Sequence, residues 1–179
     1  ILKKYTIPWM RKIILNKYGP RKCLIIDGFA GPGKYDDDSD GSPMILIKNA
    51  IDFYNQSKKY RWKDPQIYIL LNELDSENHK KLIENVKVLG FETSNNKTFH
   101  SKKYTSIKIV IENKTFELFL NNILSITRKG SSLIPSFCFV DPFGFSSTPF
   151  ELFKEYLKNE NSELLINFIY EFTNRFITH

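Results

Sequence analysis

Cys23-Leu24-Ile25-Ile26-Asp27-Gly28-Phe29-Ala30-Gly31-Pro32-Gly33 is an apolar run halted by one acid and then by three glycines within six residues. It reads as a central parallel strand entering a turn where the backbone comes close to a neighbour or a ligand. The pattern recurs downstream. Gln66 to Asn72 predicts a second strand ending at Glu73-Leu74-Asp75, and Ile107 to Ile111 alternates as a third. Phe137 to Val140 predicts a fourth, ending at Asp141-Pro142-Phe143-Gly144, and Glu163 to Tyr170 a fifth. Helices fall between them: Met44 to about Asn55 behind Ser42-Pro43, and a Ser76-capped helix to Val88 stopped by Gly90. Thr115 opens one with Phe116, Phe119, Leu120, Ile123 and Leu124, and the capping box Thr148-Pro149-Phe150-Glu151 opens one to about Lys158. Phe91 to Lys103, rich in Asn, Ser and Lys, reads as a loop with some β structure. Strands alternating with helices predict an α/β fold, a Rossmann-like doubly wound, mostly parallel sheet whose ligands bind beyond the carboxyl ends of the strands.

Ahead of the first strand the charge is one-sided. The net charge of the chain is +6, yet the first 26 residues hold Lys3, Lys4, Arg11, Lys12, Lys17, Arg21 and Lys22 with no acid. Thr6 as N-cap, Pro8 in the first turn and Trp9, Met10, Ile13 and Ile14 at helical spacing describe an amphipathic helix, closed by Gly19-Pro20. Residues 1–22 are therefore expected to form a basic helical segment and residues 23–179 the α/β domain. Its aromatics face the core, and its basic face, with Lys3, Lys4, Arg11 and Lys12, suits contact with nucleic acid. A second cluster, Lys58-Lys59-Tyr60-Arg61-Trp62-Lys63, reads as a solvated helix end.

Composition narrows the class. With 179 residues, 41% hydrophobic, 26% charged and only eight Gly and eight Pro, the chain is neither disordered nor low-complexity. No run nears the ~18 apolar residues of a membrane span, so no membrane partner is expected. Cys23 and Cys138 are the two cysteines, each inside an apolar run, which predicts buried reduced thiols and a cytoplasmic location. Cys23 lies four residues before Asp27 and Cys138 three before Asp141, so alternation sets the thiols on opposite faces and predicts no disulfide.

Three readings of the glycine turn, and one of the acidic loop behind it, can be separated. The dinucleotide fingerprint needs glycine where Asp36 stands. The phosphate-binding loop has Gly28, Gly33 and Lys34 in register, but Tyr35 replaces the short hydroxyl, and Asp36, Asp37, Asp38 and Asp40 would repel a triphosphate. A half EF-hand, Asp36-x-Asp38-x-Asp40-Gly41, has Ile47 where the closing Glu belongs, so no metal is expected. The S-adenosylmethionine turn fits: Asp27 ends the strand, Gly28, Phe29, Ala30, Gly31 and Gly33 carry the backbone past the cofactor, and Glu73 accepts its ribose hydroxyls. The other role open to Glu73 is that of a helix cap.

Asp141-Pro142-Phe143-Gly144 suits an amino-group methyltransferase. Asp141 and a backbone carbonyl would accept the amine hydrogens while Phe143 or Phe145 stacks on the base, so catalysis would be chiefly orientation. Alternatively Asp141 caps the strand end or contacts the cofactor's amino group.

On Asp27-Gly28-Phe29-Ala30-Gly31-Pro32-Gly33-Lys34-Tyr35, Gly41-Ser42-Pro43, Glu73, Phe139-Val140-Asp141-Pro142-Phe143-Gly144 and Leu165-Ile166-Asn167-Phe168, the chain resembles the three-Cys-motif partner protein (TcmP) family. More remotely it is similar to ribosomal-RNA adenine-N6 methyltransferases, which carry a second Pro where Phe143 stands. The resemblance implies a class I methyltransferase with strand order 3-2-1-4-5, here expected without the last strands, and a partner protein bearing a three-Cys motif. The expected activity is transfer of a methyl group from S-adenosylmethionine to a nucleic-acid amine, DNA or RNA. Two rivals remain: a non-catalytic cofactor-binding module acting with its partner, and a nucleotide hydrolase.

Overall fold

The structure, a computed structural model, describes residues 1–62, 64–142 and 150–167. Along the chain lie α1 (Leu2–Ile14), β1 (Lys22–Asp27), α2 (Ser42–Lys59), β2 (Gln66–Asn72), α3 (Ser76–Val88), β3 (Thr98–His100), β4 (Ile107–Glu112), α4 (Phe116–Arg128), β5 (Ser136–Val140), α5 (Phe150–Leu157) and β6 (Ser162–Ile166). The strands form one six-stranded sheet in the order β3-β4-β2-β1-β5-β6. Every neighbouring pair is parallel except β3 with β4. The fold is thus α/β and mostly parallel, compatible with a Rossmann-like arrangement.

The strand order differs from the expected 3-2-1-4-5, because a sixth strand, β3, lies antiparallel at the outer edge of β4. Three residues carry too little alternation to register as a strand, and Phe99 is the lone apolar residue of β3. Pairing across the chain makes the strand: Phe99 sits opposite Ile109 and is fully buried, and Glu92 and His100 exchange backbone hydrogen bonds of 2.7 and 2.9 Å.

Helices cover both faces. One cluster joins α1, α2 and α3 to Cys23, Ile25, Ile67, Ile69 and Phe137. The other joins α4 and α5 to Leu24, Ile26, Cys138 and Val140. Strand alternation sends successive side chains to opposite faces, so the two thiols, both free and buried, belong to different halves of the core.

Three helices start elsewhere than their sequence predicts. α1 begins at Leu2, four residues before the expected cap, and Pro8 lies in its interior. Thr6 is not a cap: its buried hydroxyl donates to the Leu2 carbonyl at 3.2 Å and accepts from Asn49 on α2 at 2.5 Å. Packing of Leu2, Trp9, Met10 and Ile13 in the first core cluster outweighs the hydrogen bond lost at proline. α2 is capped by Gly41 and runs on to Lys59. Asp75, rather than Ser76, caps α3, accepting from the Asn78 N–H at 2.8 Å, and Thr115 caps α4 as expected. The Thr148-Pro149 box and the end of the fifth strand beyond Asn167 lie outside the described residues. Among the described residues no helix is long and apolar enough to cross a membrane.

Candidate functional site

Strand register brings three acids together. Asp27 pairs with Phe139 on one side and with Leu71 on the other, so Asp141 and Glu73 each lie two residues past that level at the carboxyl edge of the sheet. Between them passes the turn that follows β1.

The turn is closed by backbone contacts. The Gly28 N–H donates to the Phe139 carbonyl at 3.0 Å, and the Ala30 N–H to that of Asn72 at 2.9 Å. The Asn72 amide donates to the carbonyls of Gly28 and Lys114 at 3.3 and 3.0 Å. A Cβ at position 28 would come within 2.4 Å of the Phe116 ring, so only glycine lets the first turn of α4 close against this segment. Gly33 has φ +92° and its carbonyl accepts from the Gly41 N–H at 2.8 Å; the space where its Cβ would point is taken by Met44 and Leu82. Gly33 therefore shapes the loop.

Glu73 is only 9% exposed. Its Oε2 accepts from the Gly31 N–H at 2.7 Å and its Oε1 from the Asp75 N–H at 2.8 Å. Both oxygens are aimed by backbone, and each keeps a lone pair for a ligand hydroxyl. Of the two roles open to this residue, capping α3 belongs to Asp75.

Asp27 is fully buried. Its Oδ1 accepts from the Phe29 N–H at 3.2 Å, and its Oδ2 has no hydrogen-bond partner. Burial pushes its pKa up to about 7; the Ser42 hydroxyl and the Phe29 N–H act downward, and the charges of Asp141 and Glu73 add to the rise. Asp141 is half-buried, and its Oδ1 accepts from the Asn167 amide at 3.0 Å.

Two clefts flank Phe29. The larger, about 800 Å³, is lined by Gly28, Asn72, Glu73, Leu74, Asp75 and Phe116 among others, with Phe29 stacked on Phe116 at 4.9 Å. The smaller, about 220 Å³, runs along Ala30, Gly31 and Gly33 to Ser42, Asp141, Pro142 and Asn167. Together they offer an apolar slot beside one fixed carboxylate, and a narrower space beside another.

Gly28, Phe29, Ala30, Gly31, Gly33, Glu73, Asp141 and Pro142 thus line the two clefts, whereas Asp27 lies fully buried beneath the turn and lines neither. Phe143 and Phe145 lie outside the described residues. Arg11 and Lys12 do not reach the clefts. Arg11 donates to Gln56 at 2.6 Å, and Lys12 faces Glu163 at 3.6 Å, four residues or about 13 Å of strand before Asn167. Lys3 and Lys4 are exposed on α1, while Trp9 is buried. Lys34 pairs with Asp38 at 3.2 Å, and the next helix opens only at Ser42, so this lysine is not at a helix N-terminus as a phosphate-binding loop requires. Asn72 and Phe116 were missed as site residues: one reads as a strand end and the other as core, and only long-range pairing places them here. Comparison with models of protein families finds none that matches the chain, and no curated protein matches it.

Proposed function

We propose that the chain is an S-adenosylmethionine-dependent methyltransferase of the class I type, acting on an amine of a nucleic-acid base. One observation carries the proposal: Glu73, nearly buried, is held by the N–H groups of Gly31 and Asp75 with lone pairs to spare, on the wall of the larger cleft. That is the acceptor a ribose diol needs. Glu73 and Asp141 on the cleft walls suit a ligand bearing positive charge, and the stacked Phe29 and Phe116 offer an apolar wall to a flat ring. When bound, the cofactor supplies a methyl group on a cationic sulfur, reactive without a metal. The chain's own contribution is placement. Gly28 to Gly31 admit the cofactor's backbone-facing part. Asp141, fixed by Asn167, and the Pro142 carbonyl accept amine hydrogens and aim the nitrogen lone pair, so no strong base is called for. A nucleic-acid acceptor is favoured by the positive excess of the first 26 residues, which lies away from the clefts and acts as a long-range attraction. The placement of Lys34 weighs against the hydrolase alternative.

The test is calorimetric titration of the chain with S-adenosylmethionine beside Mg-ATP, repeated on Glu73→Ala after its melting temperature has been checked. Expected are binding of the former alone and a loss of about tenfold or more in the variant, the scale of a charge-assisted hydrogen bond. No heat from a folded chain, or binding of Mg-ATP instead, overturns the proposal. Binding with no methyl transfer to DNA or RNA over long incubation would favour a non-catalytic module.

A further inference from the structure

Segments far apart in the chain meet at the amino-terminal edge of the sheet, opposite the clefts. The residues after α1 lead into β1 and those after α2 into β2, and these strands start side by side: Lys22 pairs with Gln66, whose N–H donates to the Arg21 carbonyl at 3.0 Å. A third segment leads into β4 at the same level, where the Ile67 N–H donates to the Ser106 carbonyl at 2.9 Å. Residues 15–22, 55–62 and 101–106 together carry eight cations and no acid, and the nearby Asp64 is paired with Lys58 at 2.5 Å.

Each segment also brings rings. The Nζ of Lys17 lies 5.5 Å from the Tyr18 ring centre, that of Lys59 5.4 Å from Tyr60, that of Lys58 5.3 Å from Tyr54 and that of Lys103 5.2 Å from Tyr104. Every cation–π pair among the described residues lies at this edge. Tyr60 stacks on Trp62 at 5.6 Å, and Tyr54 meets Tyr104 edge-on at 5.9 Å. Tyr18 is 88% and Tyr60 58% exposed. Cations in the last turn of a helix offset its dipole, which accounts for Lys58 and Lys59. It does not account for Lys17, Arg21, Arg61, Lys102 and Lys103, which lie outside helices.

We propose that this edge is a binding surface for a single strand of nucleic acid, with Lys17, Arg61 and Lys103 on phosphates and the exposed rings of Tyr18 and Tyr60 against bases. Single-strand grooves combine these two features, a positive track and sequence-tolerant stacking rings. An anionic membrane fits less well: the large exposed hydrophobics here are Leu15, Tyr18 and Tyr60, not the broad Leu/Phe face that insertion into a bilayer requires. The surface is separate from the clefts, so this inference does not rest on methyl transfer.

The experiment is fluorescence anisotropy of end-labelled single-stranded dT and U oligonucleotides with the full chain over a salt series. Comparison is with Lys17→Glu/Arg61→Glu/Lys103→Glu and with Tyr18→Ala/Tyr60→Ala, each matched to the parent in melting temperature. The charge variant should bind weakly and lower the slope of log K against log salt by about 2, three contacts at ~0.7 each. The ring variant should lose about tenfold or more with its slope unchanged. S-adenosylmethionine titration of the same variants reads the cleft alone and should not change. No oligonucleotide binding by the parent, variants that bind as the parent does, or capture by phosphatidylserine vesicles in place of oligonucleotide overturns the inference. None of these results bears on the cofactor proposal.

Discussion

Asp27 is a carboxyl group taken wholly out of water with one oxygen unpartnered, and burial pushes its pKa up to about 7. In the unfolded chain it would ionise near pH 3.9. Between these values the folded chain holds a proton that the unfolded chain has released. The contribution of Asp27 to stability is therefore present below about pH 4 and is lost as pH rises through 7, the reverse of a salt-bridged carboxylate. About three pH units correspond to ~4 kcal/mol. Asp27→Asn, which cannot ionise, should gain stability relative to the parent as pH rises from 4 to 8, measured by urea denaturation. A difference between the two that does not change with pH would show that the folded carboxyl titrates normally.

At the scale of elements, α1 is attached to α2 by a buried polar contact inside an apolar one, besides the exposed Arg11–Gln56 hydrogen bond. The Asn49 amide donates to the Thr6 hydroxyl at 2.5 Å and to the Leu2 carbonyl at 3.3 Å, with both side chains buried. Around it Trp9 packs on Phe137 at 5.8 Å and joins the first core cluster. Asn49→Ala should cost about 1–3 kcal/mol, because it leaves the buried Thr6 hydroxyl oxygen without its donor. The urea midpoint should fall with the slope unchanged, and amide exchange in α1 should quicken more than in β1. A loss under about 0.5 kcal/mol, the range of an ordinary surface substitution, would mean that packing alone holds α1.

Over the whole molecule the sheet divides the core in two, with Cys23 in one half and Cys138 in the other. Burial pushes both thiols well above the usual range, that of Cys138 further raised by the charge of Asp27. Thiolate is the reactive form. Iodoacetamide should therefore label both cysteines together, at the rate of global unfolding across a denaturant series. Labelling of one thiol well before the other in native buffer would reveal local opening of that half. The sheet also separates two kinds of chemistry, with acids and clefts at its carboxyl edge and cations with exposed rings at its amino edge.

The sequence by itself determined the local pattern. An apolar run with an acid and glycines behind it predicts a strand and a tight turn wherever it occurs, so β1, β2 and the end of α3 at Gly90 were legible, as was Glu73 as an acid at a strand end. These depend on neighbours within a few residues. Tertiary structure decided whatever depended on pairing over long separations. Phe99 becomes a strand only against β4, and α1 continues through Pro8 only because α2 and the sheet bury its apolar side. Asn72 and Phe116 join the site only when β2, β4 and β1 lie side by side. The basic end of α2, read alone, is a solvated helix end; beside residues 15–22 and 101–106 it is one part of a continuous basic edge. Parallel pairing places residues forty positions apart at one level, and no local periodicity records which strands will be neighbours.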